Sequence, residues 1–320
     1  MLYGPPFFRY PFAHKQGDQL RYAHRAASSC YRTKLGYRFG RGNPLLRLAG
    51  LGLVGFLGFK ALHRFYWGKP ASFSQDGMTA FPSYLSGVRM KLISTKSITP
   101  DVKMLKFELP KNYESSGLKP GSAVLASIKH SKTGKLLMRP YSPIYTPGDQ
   151  HHLVFAIKML NSQGASGAMH TLLPGDMVKF RGPKPGRSVD LSTISSVNLI
   201  AGGSGITPLY SVLNYLMTEK PDSRVNLIFA NKSMDDIIFK KELDALHEQY
   251  SNRFLVTYVV DRENTPATPS TVVGRINPDL LEKTIWKDSD IFVCGPDGMV
   301  SALRKQMNLD SFTDRKVVVF

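Results

Sequence analysis

The chain reads as two domains, a small antiparallel β-barrel followed by an α/β domain with a parallel sheet, behind a basic and partly apolar leader. Three observations predict this. Between Val88 and Arg181 strand-length runs are separated by turn residues with little helix among them. Beyond Pro185-Gly186, apolar strand-length runs alternate with helical stretches, the pattern of a parallel sheet covered on both faces. The charge changes at the same place. Residues 88–187 hold 16 Lys/Arg against 5 acids, whereas residues 188–320 hold 14 against 17.

The leader comes first. Residues 1–42 carry Arg9, Lys15, Arg21, Arg25, Arg32, Lys34, Arg38 and Arg41 among Ser, Ala and Tyr. That is the composition of a mitochondrial targeting segment, with a plain basic tail as the alternative. Residues 43–67 predict a single membrane-anchor helix. Leu48 to Phe59 has no charge, and Arg64, Tyr66 and Trp67 suit an interface. A span of ~20 residues requires Arg47 and Lys60 to snorkel, so an amphipathic or buried helix stays open. Gly50, Gly52, Gly55 and Gly58 form no GxxxG pair, which predicts a monomer. Residues 68–87, with Pro70, Gly77 and Pro82, read as a linker.

In the barrel, residues 88–187, strands are expected at Val88–Ile93, Lys103–Leu109, Ala123–Lys129, Lys135–Tyr141, His152–Met159 and Met177–Arg181. In the second domain, residues 188–320, strands are expected at Val197–Ala201, Val225–Ala230, Phe254–Val260, Ile291–Cys294 and Lys316–Phe320. Helices are expected through Met217, over Asp235–Gln249, at Pro278–Lys283 and through Met307.

Three short motifs carry the chemistry. Arg139-Pro140-Tyr141-Ser142 combines a fixed cation, a ring and a hydroxyl on one stiff extended strand, a set suited to a planar cofactor bearing phosphate. An ordinary edge strand is the bland alternative. Gly202-Gly203-Ser204-Gly205-Ile206-Thr207-Pro208 follows a buried strand and opens a helix; its backbone N–H groups and dipole suit pyrophosphate, although a tight turn without ligand has the same pattern. Cys294-Gly295-Pro296 ends another parallel strand and would face the same crevice. Cys30 and Cys294 are the only cysteines, so disulfide frameworks and cysteine metal clusters are excluded, and redox chemistry must come from a bound cofactor.

In order and spacing, these motifs resemble the NADH-cytochrome b5 reductase family of the ferredoxin-NADP reductase superfamily. The resemblance runs from Val88 to Phe320 and includes Arg181-Gly182-Pro183, Phe229-Ala230-Asn231 and Asp235-Asp236-Ile237. The leader looks like that of the mitochondrial, membrane-bound branch found in fungi.

The resemblance implies FAD and NADH as cofactors. Arg139 would meet the FAD pyrophosphate, with Pro140 stiffening the strand, Tyr141 against the flavin and Ser142 near its N5. Ile157 and Lys158 fall where a lysine approaches the nicotinamide nucleotide. Gly167, Ala168, Met169 and His170 fall at a phosphate loop that in the family reads Gly-Lys-Met-Ser, so that lysine and serine are missing here, and Leu160 replaces a tyrosine. Gly203, Ser204 and Thr207 would surround the NADH pyrophosphate. Asp236 would meet the adenosine ribose, a helix N-terminal acid being the alternative. Cys294, with Gly295 and Pro296, would lie beside the nicotinamide, making Ser142 and Cys294 the residues nearest the chemistry. Phe320 is expected as an ordinary last strand residue rather than a flavin shield.

The activity so implied is hydride transfer from NADH to flavin, followed by single-electron transfer to an acidic haem protein such as cytochrome b5, which the +11 of the barrel would steer. Attraction to anionic lipid is the competing reading of that charge. Nucleic acid is excluded as a partner by the absence of a binding motif. The alternatives are a diaphorase or quinone reductase, and a weakened nucleotide-binding membrane scaffold.

Overall fold

The computed structural model describes residues 78–130, 133–185, 189–261 and 270–320. The expected targeting segment, the anchor and linker residues 68–77 lie outside the described residues. Among those that are described, no helix is long and apolar enough to cross a membrane.

The first sheet has strands β1 (Gly87–Thr99), β2 (Val102–Glu108), β3 (Val124–Lys129), β4 (Leu136–Tyr141), β5 (His152–Lys158) and β6 (Met177–Arg181). Their order is β4-β3-β6-β1-β2-β5, antiparallel throughout. The sheet curls until its ends meet: Ile144, just past β4, donates its N–H to Val154 of β5 at 2.8 Å. Alternate residues point inward, as Val88, Met90 and Leu92 do on β1. In the core Phe155 and Phe180 stack at 5.2 Å, with the Phe107 ring edge-on to both. A short helix α1 (Ala165–His170) packs against β3, β4 and β5.

Two expectations change here. β1 runs to Thr99 rather than Ile93, because a register shift between Leu92 and Ser94 lets one strand pair first with β6 and then with β2. Its polar second half lacks the alternation that would mark it. The end of the linker is also part of the barrel. Thr79 bridges Ser115, and Ala80 and Phe81 are buried in the core, so the segment is anchored to the barrel at residues 79–81 rather than spanning a gap.

The second sheet has β7 (Ser196–Gly202), β8 (Arg224–Asn231), β9 (Phe254–Val260), β10 (Thr271–Val273), β11 (Asp290–Cys294) and β12 (Val317–Val319), in the order β10-β9-β8-β7-β11-β12 and all parallel. Helices α2 (Ile206–Glu219), α3 (Lys240–Gln249), α4 (Pro278–Thr284) and α5 (Asp297–Met307) connect them. Leu199 and Leu227 face one core, and Ile200 and Ile228 the other, which is why these strands read as continuous apolar runs. β10 was not expected; three residues are too short to show a period. α3 begins at Lys240 rather than Asp235. Asp235 and Asp236 instead lie in a 3-10 turn (Met234–Asp236), and Phe239 adopts φ 64° so that its ring can stack on Tyr210 at 4.3 Å.

Helix α2 is buried along nearly its whole length because it is packed from two sides. Val102 and Ala156 of the barrel share its core cluster. Polar contacts fix the register: Ser211 Oγ accepts the N–H of Tyr145 at 2.9 Å, Asn214 Nδ2 donates to Tyr145 O at 3.2 Å, and Tyr145 OH donates to Glu219 at 2.9 Å. Phe320 packs at the same junction, its ring edge-on to Phe292 and beside Gly121 of the barrel.

The Arg253 guanidinium donates to the carbonyls of Leu216 and Met217 in the last turn of α2 and to those of Lys220 and Ser223 just beyond it. Carbonyls of a last helical turn have no helical partner, and the cation meets the negative end of the helix dipole. Arg253→Ala should cost on the order of 2–3 kcal/mol, the range for hydrogen bonds to a charged group. Thermal unfolding should show it as a melting point lower by roughly 5–10 °C.

Candidate functional site

The strand order reverses direction beside β7: β8, β9 and β10 extend on one side of it, and β11 and β12 on the other. In an open parallel sheet, the carboxyl ends of the strands at such a point form a crevice for ligands. Here the two strand ends carry the two predicted loops, and Ala201 and Cys294 are register partners.

Glycine is what allows these loops to meet. A Cβ on Gly205 would lie 2.3 Å from Cys294 O, and one on Gly295 would lie 3.2 Å from the backbone of Gly202. Gly203 has φ +52° with open space around its Cβ position, so backbone rather than side chain faces that space. After Gly203–Gly205 the chain enters α2, where the buried Pro208 sits in the first turn without needing an N–H. Gly203, Ser204, Thr207, Cys294, Gly295 and Pro296 are thus brought together. Thr207 Oγ1 donates to Ser204 O at 3.2 Å, which stiffens the turn. Cys294 is half-buried at the end of β11.

On the barrel side, β4 is a terminal strand of its sheet, and Arg139 and Tyr141 lie on one of its faces. Arg139 is exposed, and its guanidinium bonds the neighbouring carbonyl of Met138 at 3.1 Å. Tyr141 is half-buried, and burial pushes its phenol up to about 12 despite the Arg139 charge, so it remains neutral at any working pH. Ser142 follows, also half-buried. An exposed guanidinium, a ring held against the barrel core and a hydroxyl just past the strand end, with α1 nearby, fit a flavin nucleotide. Three residues further on, Tyr145 reaches α2 at Ser211, about 8 Å along the axis from the first residue of that helix. The strand bearing Arg139–Ser142 therefore runs directly onto the helix that begins at the glycine turn.

The α1 residues lie inside the barrel. Ala168, Met169 and His170 are buried in the barrel, and a Cβ on Gly167 would collide with the Ser162 carbonyl at 2.2 Å. His170 Nε2–H donates to Ile157 O at 2.7 Å, and Lys103 Nζ reaches His170 O at 2.8 Å. Burial, aided by the Lys103 charge, holds the imidazole below its ordinary value against the opposing pull of the Ile157 carbonyl. The side chains of Ala168, Met169 and Ile157 belong to the core cluster of the barrel, and His170 is buried beside them. Ser166 was missed: its Oγ accepts from the N–H groups of Leu160 and Asn161 at 3.2 and 3.3 Å and pins the loop entering α1. A hydroxyl two residues after Gly164, in the first turn of a short helix, was the available signal.

Lys158, at the end of β5, joins the two domains. Its Nζ lies 3.0 Å from Asp101 of the barrel and 3.5 Å from Asp236 in the turn after β8. Ser233 Oγ donates to Asp236 at 2.9 Å. Asp236 is therefore not simply a helix cap; it lies in a short 3-10 turn across the junction from a barrel lysine.

The two loops can be tested by one substitution made at two glycines. Gly205→Ala should destabilise by about 1–3 kcal/mol, since overpacking against backbone cannot relax. Gly298, in the first turn of α5, has nothing near its Cβ position, so Gly298→Ala should be neutral or stabilising by up to about 1 kcal/mol. Denaturant unfolding of the two variants checks both signs.

Comparison with known proteins agrees with this geometry. Residues 89–187 match the family model of an oxidoreductase FAD-binding domain, and residues 199–305 that of an oxidoreductase NAD-binding domain. A protein named NADH-cytochrome b5 reductase 2 from Botryotinia fuckeliana is 34% identical over 233 residues, covering 71% of this chain and 67% of its own length. The protein of that name from Coccidioides immitis is 32% identical over 226 residues, covering 69% of each. Among solved structures, the cytochrome b5 reductase domain of Ulva prolifera nitrate reductase matches with 25% identity and a TM-score of 0.65, over 76% of this chain and 100% of that one. The CS-b5R domains of human Ncb5or in the NAD+ form share the fold, with 23% identity and a TM-score of 0.64 over 73% of this chain and 69% of theirs. With an FAD-binding barrel, an NAD-binding domain and relatives of this identity and extent, the chain belongs to the NADH-cytochrome b5 reductase family.

Proposed function

We propose that this chain is a membrane-anchored mitochondrial enzyme that takes electrons from NADH and passes them singly from FAD to an acidic haem protein of the cytochrome b5 kind. The observation that carries this reading is the continuity of the strand Arg139–Ser142 with Tyr145 on α2. It makes the flavin seat and the glycine turn parts of one rigid junction.

When bound, flavin accepts a hydride from nicotinamide and releases electrons one at a time. Arg139 supplies a cation to the FAD pyrophosphate, Tyr141 a ring face and Ser142 a hydroxyl at the flavin ring. Gly203, Ser204 and Thr207 present backbone and hydroxyl groups to the dinucleotide, while Cys294, Gly295 and Pro296 shape the nicotinamide pocket. Asp236 accepts from the adenosine ribose and repels a 2′-phosphate, which favours NADH over NADPH. No general acid or base is required, so the residues serve to hold the reacting rings at near-attack distance.

The acceptor is argued from charge. Arg89, Lys91, Lys96, Lys129, Lys135 and Arg139 are exposed on the barrel, and such a surface steers an acidic partner. The membrane and mitochondrial parts rest on the composition of residues 1–67. A monomer is expected.

Arg139→Ala should weaken FAD binding roughly 10- to 100-fold, as loss of a charged hydrogen-bonding partner implies, and Arg139→Lys should recover part of it. Flavin absorbance per protein after gel filtration measures this. With cytochrome b5 as acceptor, kcat/KM should fall about tenfold or more as salt rises past the point where surface charges are screened. Reduction of a neutral quinone should stay flat over the same range. A salt-independent cytochrome b5 reaction would remove the electrostatic partner from this account.

A further inference from the structure

Lys158 has two acidic neighbours on opposite sides of the junction, and it leans toward the one in the barrel. Nζ is 3.0 Å from Asp101 Oδ2 and 3.5 Å from Asp236 Oδ1, and the lysine side chain is only 18% exposed. Asp101 lies in the turn between β1 and β2, where its other oxygen accepts from Thr99 Oγ1 at 2.8 Å. Burial alone would raise the Asp101 carboxyl, but hydrogen bonds from Lys158 and Thr99 hold it below its ordinary value. It is therefore anionic at neutral pH, and its direction is fixed by the threonine.

Two carboxylates thus compete for one ammonium. A cation drawn onto Asp236 would occupy lone pairs needed by ribose hydroxyls and offset the charge that repels a 2′-phosphate. In the structure Lys158 is shared: its longer contact is with Asp236 Oδ1, while Asp236 Oδ2 accepts from Ser233 Oγ at 2.9 Å. We propose that Asp101 is a positioning residue for coenzyme selection: by taking the shorter contact of Lys158 it weakens the ion pair on Asp236 and so keeps Asp236 more receptive to the adenosine ribose and more hostile to 2′-phosphate. The proposal rests on the reading that Asp236 faces that ribose. It gives the flavin domain a part in choosing the dinucleotide that the other domain binds.

The test uses the flavin-loaded full chain and the variants Asp101→Asn, Asp101→Glu, Lys158→Met, Asp101→Asn with Lys158→Met, and Asp236→Asn. Calorimetric titration with ADP-ribose and with 2′-phospho-ADP-ribose reads the preference without turnover, and kcat and KM for NADH and NADPH read it in the reaction. Asp101→Asn should reduce the preference for the unphosphorylated ligand roughly three- to thirtyfold, the range of coupling between groups in contact. It should raise KM for NADH and leave kcat in place. Asp101→Glu should keep most of the preference, and Asp101→Asn should add nothing once Lys158 is methionine. An unchanged preference in Asp101→Asn, or the same shift in the Lys158→Met background, overturns the proposal. If Asp101→Asn does not fold, Thr99→Val, which frees the carboxylate without removing it, should shift the preference in the same direction, and its failure to do so counts equally against. Asp236→Asn separates the two levels. If it leaves the preference intact, the ribose reading itself fails; if it abolishes the preference while Asp101→Asn does not, only the role of Asp101 fails.

Discussion

The double burial of α2 is the constraint on which the rest of the structure depends. One side of the helix completes the core of the parallel sheet, and the other receives Val102 and Ala156 from the barrel. A helix committed on both sides cannot shift without exposing apolar surface at about 25 cal/mol per Å². Its N-terminus is the glycine turn, and its middle holds Tyr145, three residues beyond Ser142. The same packing that stabilises the fold therefore sets the spacing between the Arg139–Ser142 strand and the glycine turn. Catalysis by alignment needs a joint of this kind, because a small displacement between reacting rings costs far more than the loss of any single contact.

Around that joint, the site is defined largely by side chains that are absent. Gly205 and Gly295 let the β7 and β11 loops touch backbone to backbone, while Gly203 leaves space for a ligand. The polar groups that remain are few and are oriented by neighbours: Asp236 by Ser233, Asp101 by Thr99, and Lys158 by both acids. A chain of short polar contacts thus crosses the domain junction. The surface charge of the barrel acts over a longer range, toward a partner.

Much of this was legible in the residues. The parallel strands were visible because burial on both faces makes them apolar throughout, and the barrel strands because turn residues separate short runs, some of which alternate. The glycine turn and Cys294-Gly295-Pro296 were legible because each pairs a strand end with a backbone need that only certain residues meet. Features that depend on distant contacts were not. The polar half of β1 is a strand only because β2 pairs with it, and α3 starts late only because Phe239 finds Tyr210. That Ala168 and His170 would be buried was not legible either, because nothing local shows which face of so short a helix turns inward. Asp101 in Thr99-Pro100-Asp101 reads as an ordinary turn, since nothing local shows that Lys158 will stand beside it.

Delivery of electrons from NADH to a flavin seated on the barrel is visible when the flavin-loaded protein is mixed with NADH or NADPH without oxygen and the flavin absorbance is followed through the first turnover. The account predicts rapid bleaching by NADH at a rate that saturates with concentration, and much slower bleaching by NADPH. A flavin that stays oxidised in the presence of excess NADH, or that is reduced equally fast by both dinucleotides, would contradict it.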